Sequence, residues 1–202
     1  LELNDNQISD VSPLKELTQL TGLHLPKNQI TDVSPLKELT QLTVLELNDN
    51  QISDVSPLKD LTQLTELYLA DNQLTGLPRE IGDLTSLATL SLEHNHVTAL
   101  PHEIGNLGGL AYLGISDNQL KVLPKEIGNL TNLTSLIMHN NRLTSLPADI
   151  GKLACLKYLR IYDNQLTELP PGIINLTNLE KLDISGNLIT VVPPKIKAMI
   201  GR

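Results

Sequence analysis

Asparagine recurs at a fixed interval along this chain. Asn6, Asn28, Asn50, Asn72, Asn95, Asn118, Asn141, Asn164 and Asn187 lie 22 or 23 residues apart, and each closes the pattern L-x-[LIM]-x-x-N. Self-similarity at this period decides the architecture before any local reading. One unit of this size cannot bury its own apolar face. Stacked units can, so the chain is predicted to be a solenoid.

The units begin at Leu1, Leu23, Leu45, Leu67, Leu90, Leu113, Leu136, Leu159 and Leu182. Within Leu67-Tyr68-Leu69 the apolar positions alternate with period two, the mark of a half-buried strand. Leu67 and Leu69 are expected to point inward, with Tyr68 and Ala70 on the open face of the sheet. Each unit then lays its strand beside the previous one, roughly 4.8 Å away. Nine strands would make a parallel sheet about 40 Å long on the stacking axis. The asparagine turns the chain away from the strand. A buried turn leaves backbone N–H and C=O groups in need of partners, and an amide side chain offers both a donor and an acceptor. A ladder of stacked asparagines is expected.

The return half of each unit changes its chemistry once. Units one to three carry D-V-S-P-L-K-[DE]-L, as in Asp10 to Leu17. Here Ser12 is expected to cap a short helical turn, with Pro13 at its first position, where the missing N–H costs nothing. From unit four the return reads L-P-x-[ED]-I-G-x-L, as in Leu77 to Leu84. Single turns of 3₁₀ or α-helix suit both. The change near Gly76 carries no linker and no low-complexity tract. Residues 1–202 are therefore read as one domain: 1–66 of the 22-residue type, 67–181 of the 23-residue type, and 182–202 a truncated last unit.

These residues carry a resemblance. The seven or so apolar positions and the asparagine of each unit are similar to the leucine-rich repeat family along the whole chain. Units one to three resemble the repeats of bacterial internalins. Units four to eight resemble the 23-residue repeats common in bacterial and intracellular members. The resemblance implies an α/β solenoid, a right-handed horseshoe with one parallel concave sheet and short 3₁₀ or helical convex segments. It also implies a non-enzymatic module for protein–protein interaction. The stretch Gly186 to Arg202, with P-P-K-I-K-A-M-I-G-R, resembles the point where repeats end in bacterial Roco-type GTPases. That keeps open a sensing or dimerising segment of a larger enzyme. Units one and three are almost the same text, so a designed or consensus-built scaffold is a further alternative.

Composition limits the partners. The chain carries a formal charge of −8, and residues 1–66 hold eleven Asp or Glu against four Lys. Nucleic acids and anionic membranes need a basic footprint, so neither is an expected partner. A protein ligand with a basic region suits the acidic first third. No apolar run is long enough to span a membrane. The chain opens inside a strand with Leu1 and Leu3 and closes on a partial return. It is accordingly read as a fragment without its native polar caps, open to end-to-end self-association. The single Cys155 excludes an internal disulfide and the Cys-rich caps of many secreted relatives. That favours a cytoplasmic or bacterial-surface setting and leaves a tolerated thiol in place of a nucleophile.

Binding residues are sought in the outward strand positions, which stack into columns. All four tyrosines fall there, and the chain has no Phe or Trp. Tyr and Arg are favoured interface anchors, and an exposed aromatic patch marks an interaction site more often than not. The competing reading is that tyrosine simply suits an exposed strand. The candidates for partner binding are Tyr68, Tyr112, Ile137, His139, Tyr158, Arg160 and Tyr162, and all but Tyr68 belong to units five to eight. Asp71, His94 and Asp117 share the column beside the asparagines, with Glu93 adjacent. They lack dedicated ligand spacing, so charge decoration is preferred to a metal site. His96 and His102 are read as solvated. The sequence has no nucleophile–base motif or phosphate cradle, and no cofactor is expected. The N-L-T sequons at Asn129, Asn132 and Asn175 are by-products of the repeat text.

Overall fold

The computed structural model describes residues 1–200. Eight three-residue strands form one parallel sheet in chain order. They are β1 Gly22–His24, β2 Val44–Glu46, β3 Glu66–Tyr68, β4 Thr89–Ser91, β5 Tyr112–Gly114, β6 Ser135–Ile137, β7 Tyr158–Arg160 and β8 Lys181–Asp183. Each strand is centred on the first leucine of its unit, so it starts one residue earlier than the L-x-L text implies. The register repeats without a slip: Leu23 faces Leu45, and so on through Leu159 and Leu182. Glu2 adds an isolated parallel bridge to His24.

The core is a set of files running through the stack. Leu69, Leu92, Ile115, Met138 and Ile161 make one file, and none exposes any surface. Leu36, Leu58, Ile81, Ile104, Ile127, Ile150 and Ile173 line the opposite wall and are buried as well. Apolar side chains one unit apart stand directly above one another, so each layer closes the layer before it.

The asparagine ladder is built as the amide chemistry requires. The Asn95 Nδ2 donates to Leu69 O (2.9 Å), Leu92 O (3.1 Å) and Glu93 O (3.2 Å). Its Oδ1 accepts the N–H of Leu74 at 2.9 Å. One side chain thus closes its own turn and ties it to the turn before. The same set recurs at Asn28, Asn50, Asn72, Asn118, Asn141 and Asn164. The residue before each asparagine is left-handed. Asp5, Lys27, Asp49, Asp71, His94, Asp117, Asn140 and Asp163 have φ between 51° and 56°, and Gly186 has φ 63°. This corrects the reading of that column as charge decoration. Asp and Asn lead there because they tolerate the left-handed conformation that the turn imposes.

The returns are 3₁₀ turns, from Ser12–Leu14 to Pro171–Asn175. Ser12 does not cap the first of them. Its own N–H donates to Asp10 Oδ1 at 2.8 Å, and Asp32 and Asp54 do the same for Ser34 and Ser56. The Asp of D-V-S-P, one residue before the N-cap valine, thus takes the first N–H of the turn from outside it. In the later units Gly82, Gly105 and Gly128 allow adjacent turns to close up. A Cβ on Gly105 would meet Glu126 O at 2.7 Å and Glu126 Cβ at 2.8 Å. Lys37 and Lys59 fill the corresponding place in units two and three. The sheet passes the junction near Gly76 without a break, since Glu66–Tyr68 pairs with Thr89–Ser91.

The last return is an α-helix, α1 Pro194–Ile200, whose own Ile196 is fully buried. Gly201 and Arg202, the end of the stretch likened to a Roco junction, lie outside the described residues. Among the described residues no helix is long and apolar enough to cross a membrane.

Two stability changes follow. Leu92→Ala, at a site with no room to collapse, should cost about 2–5 kcal/mol. Asn95→Ala strands several buried backbone groups at about 1–3 kcal/mol each, so the unfolding free energy from urea titration should fall by at least as much. A ladder variant as stable as the parent in urea would show that water replaces the amide.

Candidate functional site

The candidate surface is the open face of the sheet, where the pleat sends every second side chain away from the core. The register fixes who meets whom. Tyr112 of β5 neighbours Ser135 of β6, which neighbours Tyr158 of β7. Gly114 neighbours Ile137, which neighbours Arg160. Tyr112, Ser135, Ile137, Tyr158 and Arg160 therefore line one shallow, open depression. Ser135 supplies the missing bulk that makes it a depression, lying between two tyrosines.

His139 and Tyr162 form the next column outward. Their rings stack at a centroid separation of 4.2 Å and an interplanar angle of 13°. The His139 Nε2 lies 3.7 Å from Asp117 Oδ2, and His94 Nε2 lies at the same distance from that oxygen. Asn140 Nδ2 donates to the other Asp117 oxygen at 2.8 Å. The His139 Nδ1 is buried and has no hydrogen-bond partner among the described residues. Burial pushes the His139 pKa below its ordinary 6.5, Asp117 pulls it back up, and Arg160 pushes it down again. So six of the seven sequence candidates are brought together. Tyr68 stands apart on β3, two strands from Tyr112.

The structure adds residues that pattern reading missed as a group. Glu93 accepts hydrogen bonds from the hydroxyls of Ser91 and Tyr112, the latter at 2.7 Å. Its carboxylate lies over Gly114, where a Cβ would stand 1.8 Å from Glu93 Oε1. The glycine in an otherwise filled outward column was the available signal for this carboxylate. Tyr68 repeats the motif on β3, donating to Glu66 Oε2 at 2.6 Å. That bond, then burial, pushes the Tyr68 phenol up to about 12. Burial and Glu93 also raise the pKa of Tyr112. Tyr158 donates to Glu180 Oε2 at 2.9 Å, and Lys157 Nζ lies 3.1 Å from the other oxygen of Glu180. Among the described residues no acidic group lies within ion-pair distance of Arg160, and no group of three or more His, Cys, Asp or Glu is placed to hold a metal ion. Asp71 and His94 are committed to the left-handed turns.

Comparison with known proteins agrees with the repeat fold. The sequence matches the family described as Leucine-rich repeat region over residues 19–145 and 102–187, and the Leucine Rich Repeat family over residues 178–199. No curated protein matches. Among solved structures, a leucine-rich repeat protein of Leptospira interrogans is 38% identical over 96% of this chain, with a TM-score of 0.89. An internalin from Listeria monocytogenes is 32% identical over 98% of the chain, with a TM-score of 0.76. The ectodomain of a plant membrane receptor kinase from Arabidopsis thaliana, in complex with Casparian strip integrity factor 2, is 32% identical over 97%, with a TM-score of 0.89. The chain spans 51%, 64% and 25% of those three structures respectively.

The electrostatics of His139 give a signed expectation. Its proton binds less readily in the folded chain than at the ordinary 6.5, so stability is lost as pH falls through 6.5 towards the folded value. In an NMR titration of the ring, Asp117→Asn should lower the midpoint further and Arg160→Ala should raise it. Shifts of the opposite sign would mean that neither charge faces the imidazole.

Proposed function

The chain belongs to the leucine-rich repeat family, and we propose that it is a non-enzymatic binding module that receives a protein ligand on its concave face. The observation that carries this reading is the depression lined by Tyr112, Ser135, Ile137, Tyr158 and Arg160. Three features support it as a contact site. The two tyrosines and Ile137 offer apolar area on a rigid sheet, at the low entropic cost typical of interface anchors. The guanidinium of Arg160 has no ion-pair partner within the described chain and presents a planar donor fork suited to a carboxylate. The His139–Tyr162 stack extends the same aromatic surface by one column. Tyr68 and the acidic groups of the earlier units form a second part of the face.

Relatives of similar fold agree in kind. The plant ectodomain was solved with a bound factor, and the Listeria proteins are internalins. On this reading residues 1–202 act as one domain of nine units. The acidic first third, residues 1–66, attracts a basic region of the partner and acts mainly on association rate.

The face is tested by affinity capture with variant baits. Proteins retained by the parent chain should also be retained by Arg79→Ala, on the convex side, and lost from Tyr158→Ala and Arg160→Ala. For an isolated ligand each loss should be worth about 2 kcal/mol or more, expressed mostly in the dissociation rate. Retention by both concave variants with loss on Arg79→Ala would move the site to the convex side.

A further inference from the structure

Most charged groups on the sheet face are already answered from within the chain. Glu46 lies 3.1 Å from His24 Nδ1, and Glu180 lies 3.1 Å from Lys157. Asp117 is held between two histidines and Asn140. Glu66, Glu93 and Arg160 belong to the groups without an ion-pair partner among the described residues. Glu66 and Glu93 each accept a phenol hydroxyl but, among the described residues, face no cation. Arg160 has no acidic group within ion-pair distance among the described residues, although Asp183 is its in-register neighbour on β8 and is turned to Ser185. A carboxylate held in place by a tyrosine hydroxyl keeps its full charge while losing some of its hydration. Such a group favours an incoming cation over a return to water.

The three are ordered along the stack. Glu66 is on β3, Glu93 follows β4, and Arg160 is on β7. Between them, on β6, stands Ile137, with no charged group in its column from Ser91 through Gly114. The Glu93 carboxylate reaches over Gly114 on β5, so at roughly 4.8 Å per strand Arg160 is about 10 Å from it and about 19 Å from the Glu66 layer. An extended peptide rises roughly 3.3 Å per residue and shows one face at every second residue. Its same-face side chains four and six residues apart are therefore about 13 and 20 Å apart.

We infer that the concave face recognises an extended segment of a protein partner that carries a basic and an acidic side chain four to six residues apart, with an apolar side chain between them. The basic group lies against Glu93, beside the ring of Tyr112, or against Glu66, beside the ring of Tyr68. The apolar group sits on Ile137, and the carboxylate meets Arg160. This rests on the concave-face reading above and adds the chemistry and spacing of the ligand. The segment runs along the stacking axis, across the strands. Charges of one sign alone would satisfy one end of the site and leave the other without its partner.

The test is selection of a random dodecapeptide phage library on the immobilised full chain, followed by fluorescence anisotropy with the enriched peptides made synthetically. Enriched peptides should pair a Lys or Arg with an Asp or Glu at a spacing of four to six. Glu66→Gln with Glu93→Gln, and separately Arg160→Ala, should each weaken binding at least tenfold. Arg160→Glu should bind a peptide whose acidic residue is changed to Lys better than the original. Circular dichroism confirms that each variant is folded. No enrichment, or enriched peptides without the charge pair, would overturn the inference, as would unchanged affinity in the charge variants. If such peptides still lose binding on Tyr158→Ala, the concave site survives and its charge rule does not. If they ignore every concave variant, both fail.

Discussion

One side chain per unit holds this molecule in shape. The ladder asparagine sits at the point where the chain leaves the sheet and its backbone groups lose their ladder partners. Its amide replaces them, donating to carbonyls of its own strand end and of the previous unit, and accepting an N–H from that unit's return. No other side chain of that size carries a donor and an acceptor in one rigid plane without a charge to bury. The contact links each unit to its neighbour, so the turn of one unit is finished only when the next is in place. The residue before it is forced into left-handed geometry, and the strand after it starts in a fixed register. Sheet, turn and core files all inherit the spacing set there.

The convex side follows a looser rule and uses two solutions. In the early units an aspartate takes the first N–H of the 3₁₀ turn, and a lysine occupies the position that glycine takes later. In the later units proline leads into the turn, and glycine lets it approach the backbone of the next. Gly82 and Gly105 would each place a Cβ less than 3 Å from a carbonyl oxygen of the following turn. The two solutions share one sheet because the strand and the asparagine are the same in both.

The open face is free of these constraints, and its side chains differ from unit to unit. What they share is that neighbours in space are about one repeat apart in the chain, 19 residues for Tyr112 and Glu93 and 22 for Tyr158 and Glu180. Tyr112 reaches Glu93, Tyr158 reaches Glu180, and His139 reaches Asp117. The face thereby acquires fixed carboxylates in its middle units and an unanswered guanidinium on β7.

The repeat text by itself determined the parallel register, the buried files and the ladder. A period of 22 or 23 residues leaves one way to stack apolar positions, and the burial of Leu92, Ile115 and Met138 follows from their place in the pattern. It also placed Tyr112, Ile137, Tyr158 and Arg160 in adjoining columns. Three things needed the tertiary structure. The left-handed turns at Asp71, His94 and Asp117 look like acidic decoration in the sequence, since nothing local marks φ. The sequence offers Ser12 as a cap, yet Asp10 takes the first N–H of the turn, because both residues are capping types and only the turn's position separates them. The hold of Tyr112 on Glu93 across Gly114 depends on side-chain directions. Periodicity fixes where a side chain is rooted, while the direction of its tip is decided by the groups that surround it in space.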